Sequence, residues 1–214
     1  MSKIELLNVF GSDTMVLDVA RASFDKKSDN YTTEQNNRLI SYLARNNHWS
    51  CYAHARVQFR LQVPIYVERQ LIKTQIGVEY NSISGRYVDF SDTYTLINEW
   101  RTQSKDSKQG SAEPLDMYGQ EACNVIEYEV KEFCQSAYKK LIDLGVSKEQ
   151  ARSILPLNLN TTMIWTGSLY AFIRLCKQRL KADAQAETRE IVAEMLSQLK
   201  ENGNFAESLN VFDL

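Results

Sequence analysis

The sequence predicts an α+β fold, with a single helix-rich domain around a small, mostly antiparallel sheet. Residues 55–63 alternate apolar and polar side chains without a break, which is typical of a strand with one buried face. Residues 126–144 carry an apolar stripe that advances in steps of four and three, which is typical of an amphipathic helix. No composition shift or internal repeat divides the 214 residues, so we expect 1–214 to form one domain.

The residues before the alternating strand predict one strand and two helices. Residues 4–10 are expected to form a short strand that Gly11 ends. A first helix follows, because four apolar residues recur at helical spacing: Val16, Leu17, Ala20 and Phe24. Thr32 or Thr33 can cap a second helix, whose apolar stripe is Leu39, Ile40, Leu43 and Ala44.

Proline and polar segments mark the boundaries after the alternating strand. Pro64 stops that strand and can open a helix that runs to about residue 75. A polar loop over 77–83 then leads into a second predicted strand over 86–90. The segment 101–116 is polar and contains glycine and proline, so we predict a mobile loop there.

The remaining residues predict helices with recognisable ends. Gly145 is expected to cap the C-terminus of the helix that carries the long apolar stripe. Ser147 with Gln150 predicts a capping box for a short helix, which Pro156 ends. Two further helices are expected over 167–180 and 183–200.

The composition argues against several classes of protein. The 25 Lys and Arg residues nearly balance the 27 Asp and Glu residues, which gives no reason to expect a nucleic-acid partner. Eight glycines form neither a G-x-G-x-x-G fingerprint nor a P-loop. With only His48 and His54, we predict no metal site. No secretory signal or bilayer-spanning apolar stretch is present, so we expect a cytoplasmic protein with no membrane partner.

The four cysteines are widely separated, and none is part of a C-x-x-C pair. We expect reduced thiols in an intracellular protein rather than a disulfide framework. No cysteine has a neighbouring cue for a nucleophile. The residues are Cys51, Cys123, Cys134 and Cys176.

Two groups of cations are candidates for binding an anion. Arg69 and Lys73 are four residues apart on a predicted helix, where like charges repel unless an anion lies between them. The run 84–86, Ser-Gly-Arg, offers a hydroxyl, an approachable backbone and a guanidinium that can bind a phosphate. A solvated basic face is the alternative, but buried segments on both sides favour a cleft. The second group is Arg152, Arg174, Lys177, Arg179 and Lys181, for which a positive helix end is equally open.

Four blocks of the sequence resemble the flavin-dependent thymidylate synthases. Residues 64–87 resemble that family's R-Q-x-x-R-H-R helix end followed by N-E-x-S-x-R-Y. The pattern H-x-[ST]-x-x-x-H is found at 48–54, A-R-x-x-L-P-L-N at 151–158, and R-x-x-x-x-A-Q-x-E at 179–187. The four blocks occur in the family's order and extend over most of the chain.

The resemblance implies a reaction and an assembly. Members of the family methylate C5 of dUMP to give dTMP, with the one-carbon unit from methylenetetrahydrofolate and the hydride from reduced FAD, which NADPH regenerates. The fold is α+β, and four identical subunits build the active sites at their interfaces. The resemblance therefore implies a homotetramer, FAD as cofactor, and dUMP, folate and NADPH as small-molecule partners.

The resemblance also assigns roles to residues. Arg179 is implied to be catalytic, because a permanent charge at the pyrimidine edge stabilises negative charge as C5 becomes nucleophilic. Residues implied to bind dUMP are Arg69, Gln70, Lys73, Ser82, Ser84, Gly85, Arg86, Arg152 and Arg179. Residues implied to bind the cofactor are His48, Ser50, Lys73, Thr74, Gln75, Asn81, Ser82, Ser168, Tyr170 and Arg174.

The chain departs from the family pattern on the flavin side. Residues 73–75 read Lys-Thr-Gln instead of R-H-R, the interval to Ser84 is one residue longer, and Ser82 replaces the family's glutamate. Ser168 and Tyr170 stand where the family typically has Asn and Arg. Two alternatives therefore stay open: an enzyme of the same fold that modifies another pyrimidine deoxynucleotide such as dCMP, or a non-catalytic nucleotide-binding protein.

Overall fold

A computed structural model describes residues 2–89, 92–105 and 110–214. In chain order its strands are β1 (Lys3–Phe10), β2 (Arg56–Pro64), β3 (Val78–Ser82), β4 (Arg101–Gln103), β5 (Ser111–Pro114) and β6 (Asn160–Ser168). Its α-helices are α1 (Asp13–Arg21), α2 (Thr33–Arg45), α3 (Ser50–Ala53), α4 (Ile65–Leu71), α5 (Met117–Asp143), α6 (Lys148–Ala151), α7 (Leu169–Arg179), α8 (Ala186–Asn202) and α9 (Ala206–Val211).

The main sheet has the strand order β1-β2-β6-β3, and each neighbouring pair is antiparallel. The central pair runs in continuous register from Arg56 opposite Ser168 to Pro64 opposite Asn160. β4 and β5 form a separate antiparallel hairpin. The predicted small antiparallel sheet among many helices is confirmed.

The alternation along β2 produces a buried face and a polar face. Val57, Phe59, Leu61 and Val63 are at most 1% exposed. Burying a side chain of this size contributes about 1.5–3 kcal/mol. On the polar face, the Gln58 amide donates a hydrogen bond of 3.0 Å to the Thr166 hydroxyl of β6.

Helices α7 and α8 contribute apolar side chains to the same core. The Phe172 ring of α7 stacks on Phe59 with ring centroids 5.7 Å apart, and it meets Trp165 edge-on. From α8, Val192 and Met195 are fully buried in this cluster. The sheet therefore fixes the start of α7, because Ser168 ends β6 and directly precedes Leu169.

Several predicted helix ends and strands are confirmed. β1 and β2 match the predicted strands within a residue or two at each end. Thr32 caps α2 in a capping box, accepting a hydrogen bond from the Gln35 backbone while the Gln35 side chain accepts one from the Thr32 backbone. Gly145 follows α5 with a φ of 84°, as a left-handed C-terminal cap requires.

The segment after Pro64 differs from its prediction in three places. α4 ends at Leu71 rather than near residue 75, because hydrogen bonds from Lys73 and Thr74 to residues three positions earlier tighten its last turn. The predicted loop at 77–83 is wrong, since its backbone pairs with β6 as β3. The predicted strand at 86–90 is also wrong. Its start is a turn in which two backbone amides donate to the Ser84 carbonyl, and residue 90 lies outside the described residues.

Four further predictions need correction. The helix predicted over 167–180 begins at Leu169, because residues 167 and 168 complete β6, a strand that was not predicted. The loop predicted over 101–116 contains the β4–β5 hairpin, and residues 106–109 lie outside the described residues. Ser147 precedes α6 but makes no side-chain capping bond, so the capping box predicted with Gln150 is wrong. Phe24 lies in a 3-10 turn and is exposed rather than on the α1 stripe.

The long helix α5 is where predicted, but its apolar stripe is not buried within one chain. Ile126, Phe133 and Leu144 are 59%, 75% and 79% exposed. In the part of the chain that the structure describes, no helix combines the length and the apolar character needed to cross a membrane.

Candidate active site

Arg179 and Gln70 meet where the ends of two helices approach each other. Gln70 lies in the last turn of α4, and Arg179 is the last residue of α7. The Arg179 Nη2 donates a hydrogen bond of 3.1 Å to the backbone carbonyl oxygen of Gln70. The Arg179 Nε is buried and has no hydrogen-bond partner among the described residues. A buried guanidinium N–H without a partner is costly, so an acceptor that reached this nitrogen would be stabilising.

The side chain of Gln70 is held at both polar atoms by the segment that opens α8. Its Nε2 donates to the Gln185 Oε1, and its Oε1 accepts a hydrogen bond of 3.0 Å from the Thr188 hydroxyl. Thr188 is fully buried. These contacts fix the Gln70 amide in one orientation.

Gln70 and Arg179 line a cavity of about 520 Å³, which is within the usual size range of small-molecule sites. Its lining mixes cations, amides and one carboxylate, which suits a polar ligand with hydrogen-bonding edges. The lining residues are Gln70, Gln178, Arg179, Lys181, Asp183, Ala184 and Gln185.

A chain of hydrogen bonds continues from this cavity to the β4–β5 hairpin. The Gln185 Nε2 donates a hydrogen bond of 2.9 Å to the Glu187 Oε2. The other Glu187 oxygen pairs with the Arg101 guanidinium at 2.6 Å, and both side chains are 18% exposed. Burial alone raises the pKa of Glu187, but its backbone hydrogen bond, Arg101 and Gln185 outweigh burial and lower that pKa.

The predicted phosphate-binding cations lie on the surface of the single chain. Arg69, Lys73, Arg86 and Arg152 are all exposed. The Arg86 backbone and its Nε donate to the Ser84 hydroxyl, and its guanidinium lies 5.3 Å from the Tyr87 ring centroid. The structure therefore brings Gln70 to Arg179 but presents these cations outward.

Ser82 is the last residue of β3, and Gly85 follows Ser84 on the loop after that strand. Gly85 is buried, while the exposed Ser82 donates its hydroxyl hydrogen to the Glu68 carboxylate of α4. Asn81 precedes Ser82 and pairs with Ile164 of β6. β3 thus connects the predicted nucleotide-binding loop rigidly to the centre of the sheet.

Several predicted cofactor-side residues gather around the start of α3. The His48 ring stacks on Tyr42 with centroids 5.8 Å apart. The Tyr170 ring lies 6.0 Å from the half-exposed Trp49, and its hydroxyl donates a hydrogen bond of 3.4 Å to the Asn47 side chain. Ser50 opens α3 beside them, while Arg174 is exposed further along α7.

Ser168 lies at the junction between this surface and the segment 73–77. It is 6% exposed, and its hydroxyl caps α7 by accepting a hydrogen bond of 3.2 Å from the Ala171 backbone. Its own backbone N–H donates to the Gly77 carbonyl at 2.8 Å. The predicted residues Thr74 and Gln75 therefore lie in the coil that leads to this contact.

Sequence reasoning did not assign roles to four residues of this site. Gln185 and Glu187 belong to the block at 179–187, so their motif was a usable signal. Thr188 lies one residue beyond that block. Arg101 carried no signal, because it is in a segment predicted to be a loop and is 86 positions from Glu187.

Comparisons with known proteins give consistent findings. The family model Thy1, described as thymidylate synthase complementing protein, matches residues 5–202. A flavin-dependent thymidylate synthase from Kosmotoga olearia is 34% identical over 188 residues, which cover 87% of this chain and 80% of that protein. One from Thermus thermophilus is 31% identical over 198 residues, which cover 92% of this chain and 71% of that protein.

The fold also matches a solved structure. A crystal structure of the UMP/dUMP methylase PolB from Streptomyces cacaoi, bound with 5-Br dUMP, superposes with a TM-score of 0.88. The match covers 100% of this chain and 95% of that chain at 21% sequence identity. At this identity the likeness is one of fold.

Proposed function

The chain belongs to the Thy1 family, which includes the flavin-dependent thymidylate synthases, and from that premise we propose that it methylates C5 of dUMP to give dTMP. The C5–H bond of dUMP is replaced by a C5–methyl bond, and the hydrogen leaves as a proton. Methylenetetrahydrofolate supplies the carbon and leaves as tetrahydrofolate. When bound, FAD in its reduced form supplies the hydride that completes the methyl group, and NADPH restores the reduced form.

The observation that carries this proposal is the pair formed by Arg179 and Gln70 at a cavity large enough for a nucleotide base. A pyrimidine edge presents carbonyl oxygens and an N–H, which match a guanidinium and a fixed amide. Because Arg179 is partly buried and permanently charged, it stabilises negative charge that develops on the ring as C5 attacks.

The two buried thiols, Cys51 and Cys176, are poor candidates for a nucleophile. Cys176 is fully buried, and burial raises its pKa to about 12. Burial also raises the pKa of the Cys51 thiol. Both thiols are therefore held in the neutral form, which is a poor nucleophile.

The surface around α3 fits a flat aromatic cofactor. The half-exposed Trp49 ring, the Tyr170 ring and the His48 imidazole offer aromatic faces, and the Asn47 amide adds a hydrogen-bonding edge. We infer that these residues, with Ser50 and the segment 73–75, would hold FAD.

We further propose that the enzyme works as a homotetramer. The exposed cations at 69, 86 and 152 do not line the Arg179 cavity of their own chain. The α5 stripe also leaves large apolar side chains exposed to water, which is typical of a surface that a partner covers. A second copy seated on α5 buries that stripe and allows its cations to serve a neighbouring site.

The test is tritium release from dUMP labelled at C5, in the presence of methylenetetrahydrofolate, NADPH and FAD, with the visible absorbance of the purified protein recorded first. We expect flavin absorbance and release of tritium to water. A protein that stays colourless after FAD is added and releases no tritium contradicts the proposal. Tighter binding of dCMP than of dUMP would instead reassign the substrate.

The role of Arg179 is tested by Arg179→Ala. Since the lost charge acts on the reacting ring, we expect turnover to fall about 100- to 1000-fold. Arg38→Ala is the matched control, because Arg38 forms an exposed pair with Glu34 on α2. Turnover of Arg179→Ala equal to that of the wild type would refute the role of Arg179.

A further inference from the structure

We propose that Arg101 is a positioning residue that sets the orientation of the Gln70 amide in the nucleotide cavity, acting through Glu187 and Gln185. The inference deepens the proposed function and rests on it, because it assigns Gln70 to the dUMP site. Arg101 itself comes from the β4–β5 hairpin and does not line the Arg179 cavity.

Arg101 forms a partly buried ion pair with Glu187, and two further residues contact its guanidinium. The Arg101 Nη2 lies 2.6 Å from the Glu187 carboxylate, and its Nε donates a hydrogen bond of 2.9 Å to the Ser111 hydroxyl of β5. Glu99 approaches the same guanidinium at 3.7 Å. The backbone hydrogen bond of Glu187 and the permanent charge of Arg101 both favour the ionised carboxylate against burial, and the Arg101 hydrogen bond holds one carboxylate oxygen in place.

An ionised Glu187 carboxylate determines the orientation of the neighbouring Gln185 amide. It only accepts hydrogen bonds, so the Gln185 side chain must turn its NH₂ group toward Glu187. The carbonyl oxygen of the Gln185 amide then points the other way, to Gln70, and it can only accept. The Gln70 amide must therefore present its own NH₂ group to Gln185, which leaves its carbonyl oxygen to the Thr188 hydroxyl.

The consequence is a fixed donor and acceptor pattern at the ligand cavity. A glutamine amide can rotate by half a turn and exchange its donor and acceptor at nearly equal shape. The charge on Glu187 removes that freedom from Gln185 and, through it, from Gln70. A pyrimidine edge of the wrong pattern then leaves a buried polar group unpaired, which is the costly case.

The experiment measures the dissociation constant of dUMP in a double-mutant cycle over Arg101 and Gln70. Arg101→Met keeps an apolar stem but removes the charge. We expect it to weaken dUMP binding about tenfold, which is the lower end of the loss found when a residue that orients a metal ligand is removed. In the Gln70→Ala background the same change should have no further effect, because the residue through which it acts is gone. The kcat at saturating dUMP should change much less than KM.

Arg101→Lys is the rescue variant, since it restores the charge beside Glu187, and we expect affinity within about threefold of the wild type. If Arg101→Met does not fold by circular dichroism, Glu187→Gln replaces it in the cycle, because a neutral amide also frees Gln185 to turn. Additive losses in the double variant, or a lysine variant as weak as the methionine variant, would overturn the inference. Wild-type protein that does not bind dUMP would instead overturn the proposed function.

Discussion

At the scale of single residues, Gly77 turns the chain from the segment 73–76 into β3. Its φ is 76°, in the left-handed region that side chains with a Cβ rarely adopt. A Cβ added there would lie 2.9 Å from the Ser168 hydroxyl oxygen, which caps α7. The position thus places the predicted cofactor segment against the start of the helix that ends in Arg179.

Gly77→Ala is expected to lower the free energy of unfolding by about 2 kcal/mol, because it adds left-handed strain and displaces the cap of α7. The measurement is the urea midpoint at fixed protein concentration. Gly145→Ala is the matched control, since Gly145 has a φ of 84° but no atom within 4 Å of an added Cβ. If the two variants lose the same stability, the contact with Ser168 contributes nothing.

The candidate site was predictable for residues that belong to a recognisable sequence block. It was not predictable for residues that are distant in sequence and meet only in the folded chain. Gln70 and Arg179 each belong to a quoted block, and the structure joins them by a hydrogen bond. The pairing of Arg101 with Glu187 depends on how the hairpin packs, which no local pattern encodes. The roles of the remaining predicted site residues stay predictions.

At the scale of helices and strands, local patterns succeeded where one face is apolar and failed where it is not. β2 alternates cleanly and was predicted within a residue at each end. β6 was missed because its buried face includes Thr161 and Gly167 while Ile164 points to the half-exposed face, which blurs the period of two. β3 was missed because its side chains are mostly exposed and only its backbone pairs with β6.

Two helix N-termini, one preceded by Thr32 and one by Ser147, are expected to differ in how much the capping residue stabilises the protein. Thr32 makes its capping bond to the Gln35 backbone at 3.3 Å, whereas Ser147 makes none. Thr32→Ala should therefore lower the free energy of unfolding by about 1 kcal/mol, and Ser147→Ala should change it by much less. Urea midpoints at equal protein concentration measure both. A larger loss for Ser147→Ala would contradict the difference between the two helix starts.

At the scale of the whole molecule, a single chain leaves the predicted phosphate-binding cations and the apolar stripe of α5 exposed to solvent. α5 is 27 residues long, which is about 40 Å of helix. Its exposed stripe follows the spacing that is typical of a buried face, so the proposed tetramer assigns the covering surface to a second copy.

The proposed tetramer predicts that the wild type has a mass near four times 24.7 kDa by light scattering. Phe133→Asp places a carboxylate on the α5 stripe, where burial without a partner is costly, and symmetry repeats that cost in each copy. We expect this variant to shift to smaller species and to lose dTMP formation. Phe24→Asp is the matched control, because Phe24 and Phe133 are 74% and 75% exposed but Phe24 lies on a 3-10 turn away from α5. A wild-type protein with the mass of one chain, or a Phe133→Asp variant that stays tetrameric, would contradict the proposed assembly. Neither result would change the role proposed for Arg179.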